Sequence, residues 1–114
     1  MNYNNDFKYD LKVGQVKERE LANIFSSKTI EVKYDLRADE TGNVFIEYES
    51  RGKASGISTS ESDYYCFCIN NTFHLIPSEL LKQKCRKYVG TKRDKLGGDS
   101  NTSKGILLPI NELF

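Results

Sequence analysis

The sequence predicts an α/β domain with a central mixed sheet of about five strands flanked by α-helices. Three observations predict it. The chain has 114 residues, enough for one domain and not for two. Stretches with two-residue alternation are interspersed with stretches of helical spacing. Clusters of turn-forming residues separate them, at 37–43, 51–62 and 70–72.

Taken in order, residues 1–10 are a polar lead-in without the apolar centre of a signal peptide. Over 11–25, Val13, Val16, Leu21, Ile24 and Phe25 recur at helical spacing, which predicts an amphipathic helix. Residues 28–36 read as a strand. Glu31, Lys33 and Asp35 share one of its faces, and Ile30, Val32 and Tyr34 the other. The run RADETGN (37–43) is a turn. VFIEYES (44–50) alternates again, with Val44, Ile46, Tyr48 and Ser50 opposite Phe45, Glu47 and Glu49. The two strands are expected to form an antiparallel hairpin. Residues 51–62 form a Gly- and Ser-rich loop. DYYCFCI (63–69) reads as a buried strand with Tyr64, Tyr65 and Phe67 as core aromatics, and FHLI (73–76) as its short neighbour. Pro77 and Ser78 start a helix carrying Leu80, Leu81 and Cys85. Residues 89–104 read as a long polar loop, 105–110 as a closing strand and NELF as a helical stub. The expected organisation is a lead-in over 1–10 and one domain over 11–114, with no internal repeat.

Hydrophobic content is 38% and charged content 29%, the balance of a soluble globule. No apolar run approaches the ~18 residues of a spanning helix. Three cysteines, 66, 68 and 85, make an odd count. That favours reduced thiols and a cytoplasmic location, the host cytoplasm if the chain is viral. The net charge of +1 does not single out a polyanionic partner. Yet an acidic centre (31–63) precedes a basic stretch, KQKCRKYVGTKRDK (82–95), a distribution suited to a metal site that handles phosphates.

The expected hairpin sets Lys33 and Asp35 opposite Glu47 and Glu49. Like charges facing one another destabilise a sheet unless something neutralises them. Mg²⁺, with Mn²⁺ as a substitute, takes one or two carboxylates plus phosphate oxygens. A lysine in the cluster can polarise or deprotonate the attacking water, or offset charge developing at phosphorus. The first helix offers Glu18 and Glu20. Glu18 falls on the side of Leu21 and Phe25, and so faces the sheet.

A Glu on a first helix, followed by Asp and Glu on a hairpin with a nearby Lys, resembles the PD-(D/E)XK nuclease superfamily. VGQVKERELANIF looks like the opening helix of archaeal-type Holliday-junction resolvases. EVKYD…TGNVFIEYE…GKASGISTSESDYY is similar to small phage-type endonucleases, and TSKGILLPINEL to their closing strand. The likeness covers roughly residues 11–114. It implies a restriction-endonuclease-like core, with Glu18, Asp35 and Glu47 as metal ligands for Mg²⁺. One position departs from the pattern. The superfamily lysine, two residues after the second strand's acid, is here Glu49. Lys33, on the face of Asp35, is expected to replace it, with Glu49 left as an outer ligand or an exposed residue. Reading Glu31-Val32-Lys33 as the motif itself fails for want of an Asp on an earlier strand, although Glu31 can assist.

The resemblance further implies that Ser55, Ser58 and Thr59 contact phosphates, that Asp63 caps or orients their loop, and that Lys92, Arg93, Lys95 and Lys104 hold the DNA backbone. The expected function is Mg²⁺-dependent hydrolysis of branched DNA by a homodimer. A restriction-like or nicking enzyme and a non-catalytic DNA-binding module are the alternatives. A second cluster, Cys66, Cys68, His74 and Cys85, has zinc-ligating residue types. Its spacing matches no common zinc pattern, and small buried hydrophobes are the competing reading for the cysteines.

Overall fold

The computed structural model describes residues 10–13, 23–24, 26–35 and 37–113, with the backbone alone at 10–13 and 99. Among the described residues eight strands are formed: β1 (Asp10–Val13), β2 (Ile30–Tyr34), β3 (Asn43–Ser50), β4 (Lys53–Ala54), β5 (Tyr64–Ile69), β6 (Thr72–Pro77), β7 (Asp94–Gly97) and β8 (Ser103–Pro109). A short helix, α1 (Ala38–Thr41), joins β2 to β3, and α2 (Ser78–Arg86) follows β6. No helix among the described residues is long and apolar enough to cross a membrane.

The α/β class holds, but the strands form two four-stranded sheets rather than one of about five. The order β1-β6-β5-β2 makes a mixed sheet, and β4-β3-β8-β7 an antiparallel one. The mixed sheet is built around the β5–β6 hairpin. Asn70 and Asn71 both adopt positive φ, 46° and 60°, the two-residue turn whose twist matches that of its flanking strands. β1 joins β6 in parallel, and β2 joins β5 in parallel from Ile30↔Tyr64 to Tyr34↔Cys68. In the second sheet β3 pairs with β8 along its whole length, from Asn43↔Pro109 to Ser50↔Ser103.

The expected β2–β3 hairpin is therefore absent. Gly42, left-handed at φ 73°, caps α1 and turns the chain into β3. A helical turn between two strands redirects the second one, here into the other sheet. β2 instead gains β5, and β3 gains the apolar β8. The helix expected over 11–25 is corrected at its start, where residues 11–13 belong to β1; residues 23 and 24 near its end are helical, as are 26 and 27, and 14–22 and 25 lie outside the described residues. The open edge of β6 outweighs a local helical pattern at 11–13. The polar stretch 89–104 contains β7, an edge strand paired with β8 from Asp94↔Ile106 to Gly97↔Ser103. Its outer side chains are solvated, so its sequence reads as loop. NELF contributes the end of a single 3-10 turn over Ile110–Glu112.

One apolar core joins both sheets and α2. Val44 and Ile46 of β3 meet Ile106 and Leu108 of β8, Tyr65, Phe67 and Ile69 of β5, and Leu81 and Cys85 of α2. The alternation anticipated for β3 supplies Val44 and Ile46; β5, expected only as a buried strand, alternates as well, with Tyr65, Phe67 and Ile69 inward and Tyr64, also expected in the core, half-buried.

Candidate active site

Where the end of β2 meets the middle of β3, a cleft of about 200 Å³ opens between the sheets. Lys33, Asp35, Glu47, Gly56 and Tyr65 are among its lining residues. Three of the four expected catalytic side chains thus share one cavity, though not by strand pairing. Asp35 makes the connection. Its Oδ1 accepts from the Arg37 N–H at 3.0 Å, and its Oδ2 from the Phe45 N–H at 3.2 Å. A carboxylate thereby spans from the exit of β2 to β3. Glu18, the fourth, lies outside the described residues.

Glu47 is oriented by the loop after β4. Ser55 Oγ donates to Glu47 Oε2 at 2.9 Å, and the Ser55 N–H donates to the Tyr48 carbonyl at 3.1 Å. Gly56, at φ 55°, presses on the Glu47 backbone: a Cβ there would lie 2.2 Å from the Glu47 carbonyl oxygen. Ser58 Oγ donates to the Tyr48 carbonyl at 2.8 Å, and Thr59 Oγ1 to the Gly56 carbonyl at 3.4 Å. The three hydroxyls expected at phosphates therefore secure the loop first. A bulge separates Glu47, opposite Gly105, from Glu49, opposite Lys104. Beyond it Glu49 pairs with Lys104 at 3.6 Å and does not line the cleft.

Lys33 is held by Glu31. The Lys33 Nζ lies 2.8 Å from Glu31 Oε2, and Ser60 Oγ donates to Glu31 Oε1 at 3.0 Å. The register Glu31↔Tyr65 and Lys33↔Phe67 turns both charges to the inner face of the mixed sheet. The Lys33 hydrogen bond holds Glu31 below the usual carboxylate range, and the Glu31 hydrogen bond raises Lys33 above its ordinary value. Lys33 is therefore an ammonium at neutral pH. It can donate hydrogen bonds and neutralise negative charge, but it is not a base. That narrows its expected roles to the electrostatic one.

Asp35 and Glu47 fit a hard divalent cation. Both are oxygen donors in one cleft, and each carboxylate oxygen retains a lone pair beyond its single hydrogen bond. Among the described residues, no three His, Cys, Asp or Glu side chains are placed to hold one metal ion.

The remaining expected positions have other partners. Asp63 does not hold the Ser55–Thr59 loop. It accepts from the Thr29 N–H at 2.9 Å and Oγ1 at 3.0 Å, tying the start of β2 to β5, and the backbone bond from Thr29 lowers its pKa. Arg93 Nη1 donates to Asn43 Oδ1 at 2.8 Å and to the Leu107 carbonyl at 2.9 Å, and the guanidinium lies over the Tyr88 ring. Its role is to brace the second sheet. Lys92 and Lys95 are exposed, and Lys92 borders a hollow with Lys87 and Tyr88 that shares no lining residue with the cleft. The zinc cluster does not assemble. His74 pairs opposite Phe67, whereas Cys66 and Cys68 pair opposite Leu75 and Phe73, so the imidazole and the two thiols occupy opposite faces. Cys85 lies in the core on α2. Burial pushes the Cys66 thiol up to about 11 and Cys85 to about 12, which keeps both protonated.

Sequence reasoning assigned Tyr65 to the core alone. Its ring is there, but the residue also lines the cleft. Only the β2–β5 register, invisible in sequence, places it opposite Glu31, at the Glu31–Lys33 ion pair. No protein-family model matches the chain, and neither a curated protein nor a solved structure matches it.

Proposed function

We propose that this chain is a magnesium-dependent endonuclease that hydrolyses DNA phosphodiester bonds, built on a restriction-endonuclease-like variant of the α/β fold. The observation that carries the reading is the meeting of Lys33, Asp35 and Glu47, from separate sheets, around one cleft. An ammonium beside two hard carboxylates suits a phosphate bridged to a divalent cation. Asp35 and Glu47 would hold the magnesium, with Glu18 as the third carboxylate. Bound there, magnesium supplies Lewis acidity, which favours deprotonation of water and neutralises phosphate charge. Asp35 keeps its geometry through the Phe45 and Arg37 N–H groups, and Glu47 through Ser55. Lys33, fixed by Glu31, offsets the charge that grows on the phosphorus oxygens as water adds and an ester oxygen leaves. By analogy with the junction resolvases that the sequence resembles, a branched substrate and a homodimer that cuts two strands are the preferred forms.

The test is cleavage of a four-way junction and of a linear duplex of the same sequence, with Mg²⁺. Nicking is expected, stronger on the junction. Asp35→Asn or Glu47→Gln should each lower the rate by at least about 100-fold. Full activity in either variant removes the site. Equal cutting of both substrates replaces the resolvase reading with a duplex-cutting enzyme. Binding of DNA without cleavage leaves a non-catalytic module.

A further inference from the structure

Beside the cleft lies a second cavity, of about 320 Å³, that the mechanism above leaves unused. Its volume falls within the roughly 300–1,000 Å³ of small-ligand sites. Its floor is apolar: Ile57, Cys85 and Ile106 line it, each 5% exposed or less. Its rim is cationic. Lys82 and Arg86 stand four residues apart on α2 and so share a face. Lys82 pairs with the exposed carboxylate of Glu79 at 3.5 Å, and Arg86 makes no ion pair among the described residues. Val89, just past the end of α2, belongs to the wall although it is 56% exposed. Tyr48 contributes its ring, fixed by the hydroxyl, which donates to Asp94 Oδ1 at 2.7 Å. The described lining residues include no acid.

Shared walls place this cavity in a series. Ile57, in the 3-10 turn Gly56–Ser58, lines the carboxylate cleft as well. Tyr48 follows Glu47 on β3 and also borders a hollow with Lys95 and Lys104. We propose that the cavity holds an unpaired nucleotide next to the scissile phosphate, with its base against Ile57, Tyr48 and Val89 and its phosphate on Lys82 and Arg86. The proposal rests on the reading of the cleft as a phosphodiester site, and names the part of the substrate that sits beside it. A base offers apolar faces to the floor and walls, and a phosphate offers the negative charge that two cations without a neighbouring acid favour. A base inside a duplex has both faces stacked, so it reaches the cavity only by leaving the stack. That costs least where the strand is already unpaired. The cavity thereby gives a preference for branched DNA a cause in named residues.

The experiment is a fluorescence anisotropy titration of the full chain with Ca²⁺ in place of Mg²⁺. The first probe is a duplex with a single-stranded thymidine overhang. The second carries abasic residues in that overhang, and the third is blunt. The intact overhang should bind about tenfold more tightly than the abasic one, the effect of one stacked base. Lys82→Gln and Arg86→Gln should each weaken binding of both overhangs. Each should also flatten the salt dependence, by about 0.7 in the logarithmic slope for one contact to a single-strand phosphate. Val89→Asp should abolish the gap between intact and abasic overhangs. Its charge repels both strands alike, so the ratio reports the base alone. Arg86 and Val89 are exposed, so their substitution spares the fold. Free thymidine monophosphate should compete only at concentrations far above that of the overhang. No binding of any probe, equal affinity for intact and abasic overhangs, an undiminished gap in Val89→Asp, or competition by the monophosphate at the overhang's own concentration would each overturn the proposal. The two proposals fail separately. A base-dependent overhang preference without cleavage removes the nuclease and keeps the nucleotide site, whereas cleavage with equal binding of intact and abasic overhangs removes the nucleotide site and keeps the nuclease.

Discussion

The two faces of the β2–β5 pair are opposites of what an amphipathic strand leads one to expect. On the inner face, Glu31 and Lys33 stand level with Tyr65 and Phe67, each aromatic 3% exposed. On the outer face, Val32 is 55% and Tyr34 71% exposed, beside Cys66 and Phe73 along a shallow apolar hollow. Charge lies towards the protein, and apolar surface lies away from it. A strand normally keeps its charges in water because desolvating them is costly. Here the cost is limited because Glu31 and Lys33 neutralise each other at the rim of the cleft. The difference teaches that alternation along a strand tells which residues share a face, but not which face is buried.

The largest effect should come from the inner face. Phe67→Ala should lower the unfolding free energy by about 3–5 kcal/mol in urea denaturation. A loss under about 1 kcal/mol would mean the seam between the sheets is not close-packed there. Gly56→Ala comes next. The added Cβ meets the Glu47 carbonyl at 2.2 Å in a left-handed residue, so about 2–3 kcal/mol should be lost, together with cleavage activity. A stable and active Gly56→Ala would show that the loop does not set the position of Glu47. On the outer face, Tyr34→Ser should change stability by no more than about 0.5 kcal/mol. A cost of several times that would reveal that the apolar hollow is covered in solution.

The smallest effect belongs to the rim. Glu31→Gln should cost under about 1 kcal/mol at neutral pH, since both partners are partly solvated and screened. The folded-state pKa of Glu31 is depressed, so its contribution is full above the ordinary carboxylate range and fades as pH falls through the folded value. That of Lys33 is raised, so its contribution is full below the ordinary amine range and is lost as pH climbs through the folded value. The difference between wild type and Glu31→Gln should stay flat between about pH 5 and 10, and shrink below about 4 and above about 10.4. A slope through neutrality would show that another titrating group governs the rim.

Much of the local structure was legible. The alternation of Val44 and Ile46 marked inward residues that the core contains, and the aromatic run DYYCFCI marked Tyr65 and Phe67 as core residues. The helix after Pro77 begins at Ser78 as read, and the asparagine turn stands between β5 and β6. The charged lining of the cleft was legible in membership rather than in construction. Lys33, Asp35 and Glu47 do share a cleft, but an imagined hairpin was the wrong reason. The short α1 helix carries little signal in RADETGN, and β7 is hidden because an edge strand with a solvated face looks like loop.

By itself the sequence determined periodicity, turn positions and the residues that share each strand face, because these depend on backbone geometry within a few residues. Tertiary structure alone decided that β2 lies beside β5, that β3 lies in another sheet, and that Tyr65 stands opposite Glu31. Strand partners are chosen by the burial of surfaces far apart in the chain, and no local pattern encodes which distant edge will be open. TIEVKYD carries its charges on one face for a local reason; that this face looks into a cleft with Glu47 is a property of the whole molecule.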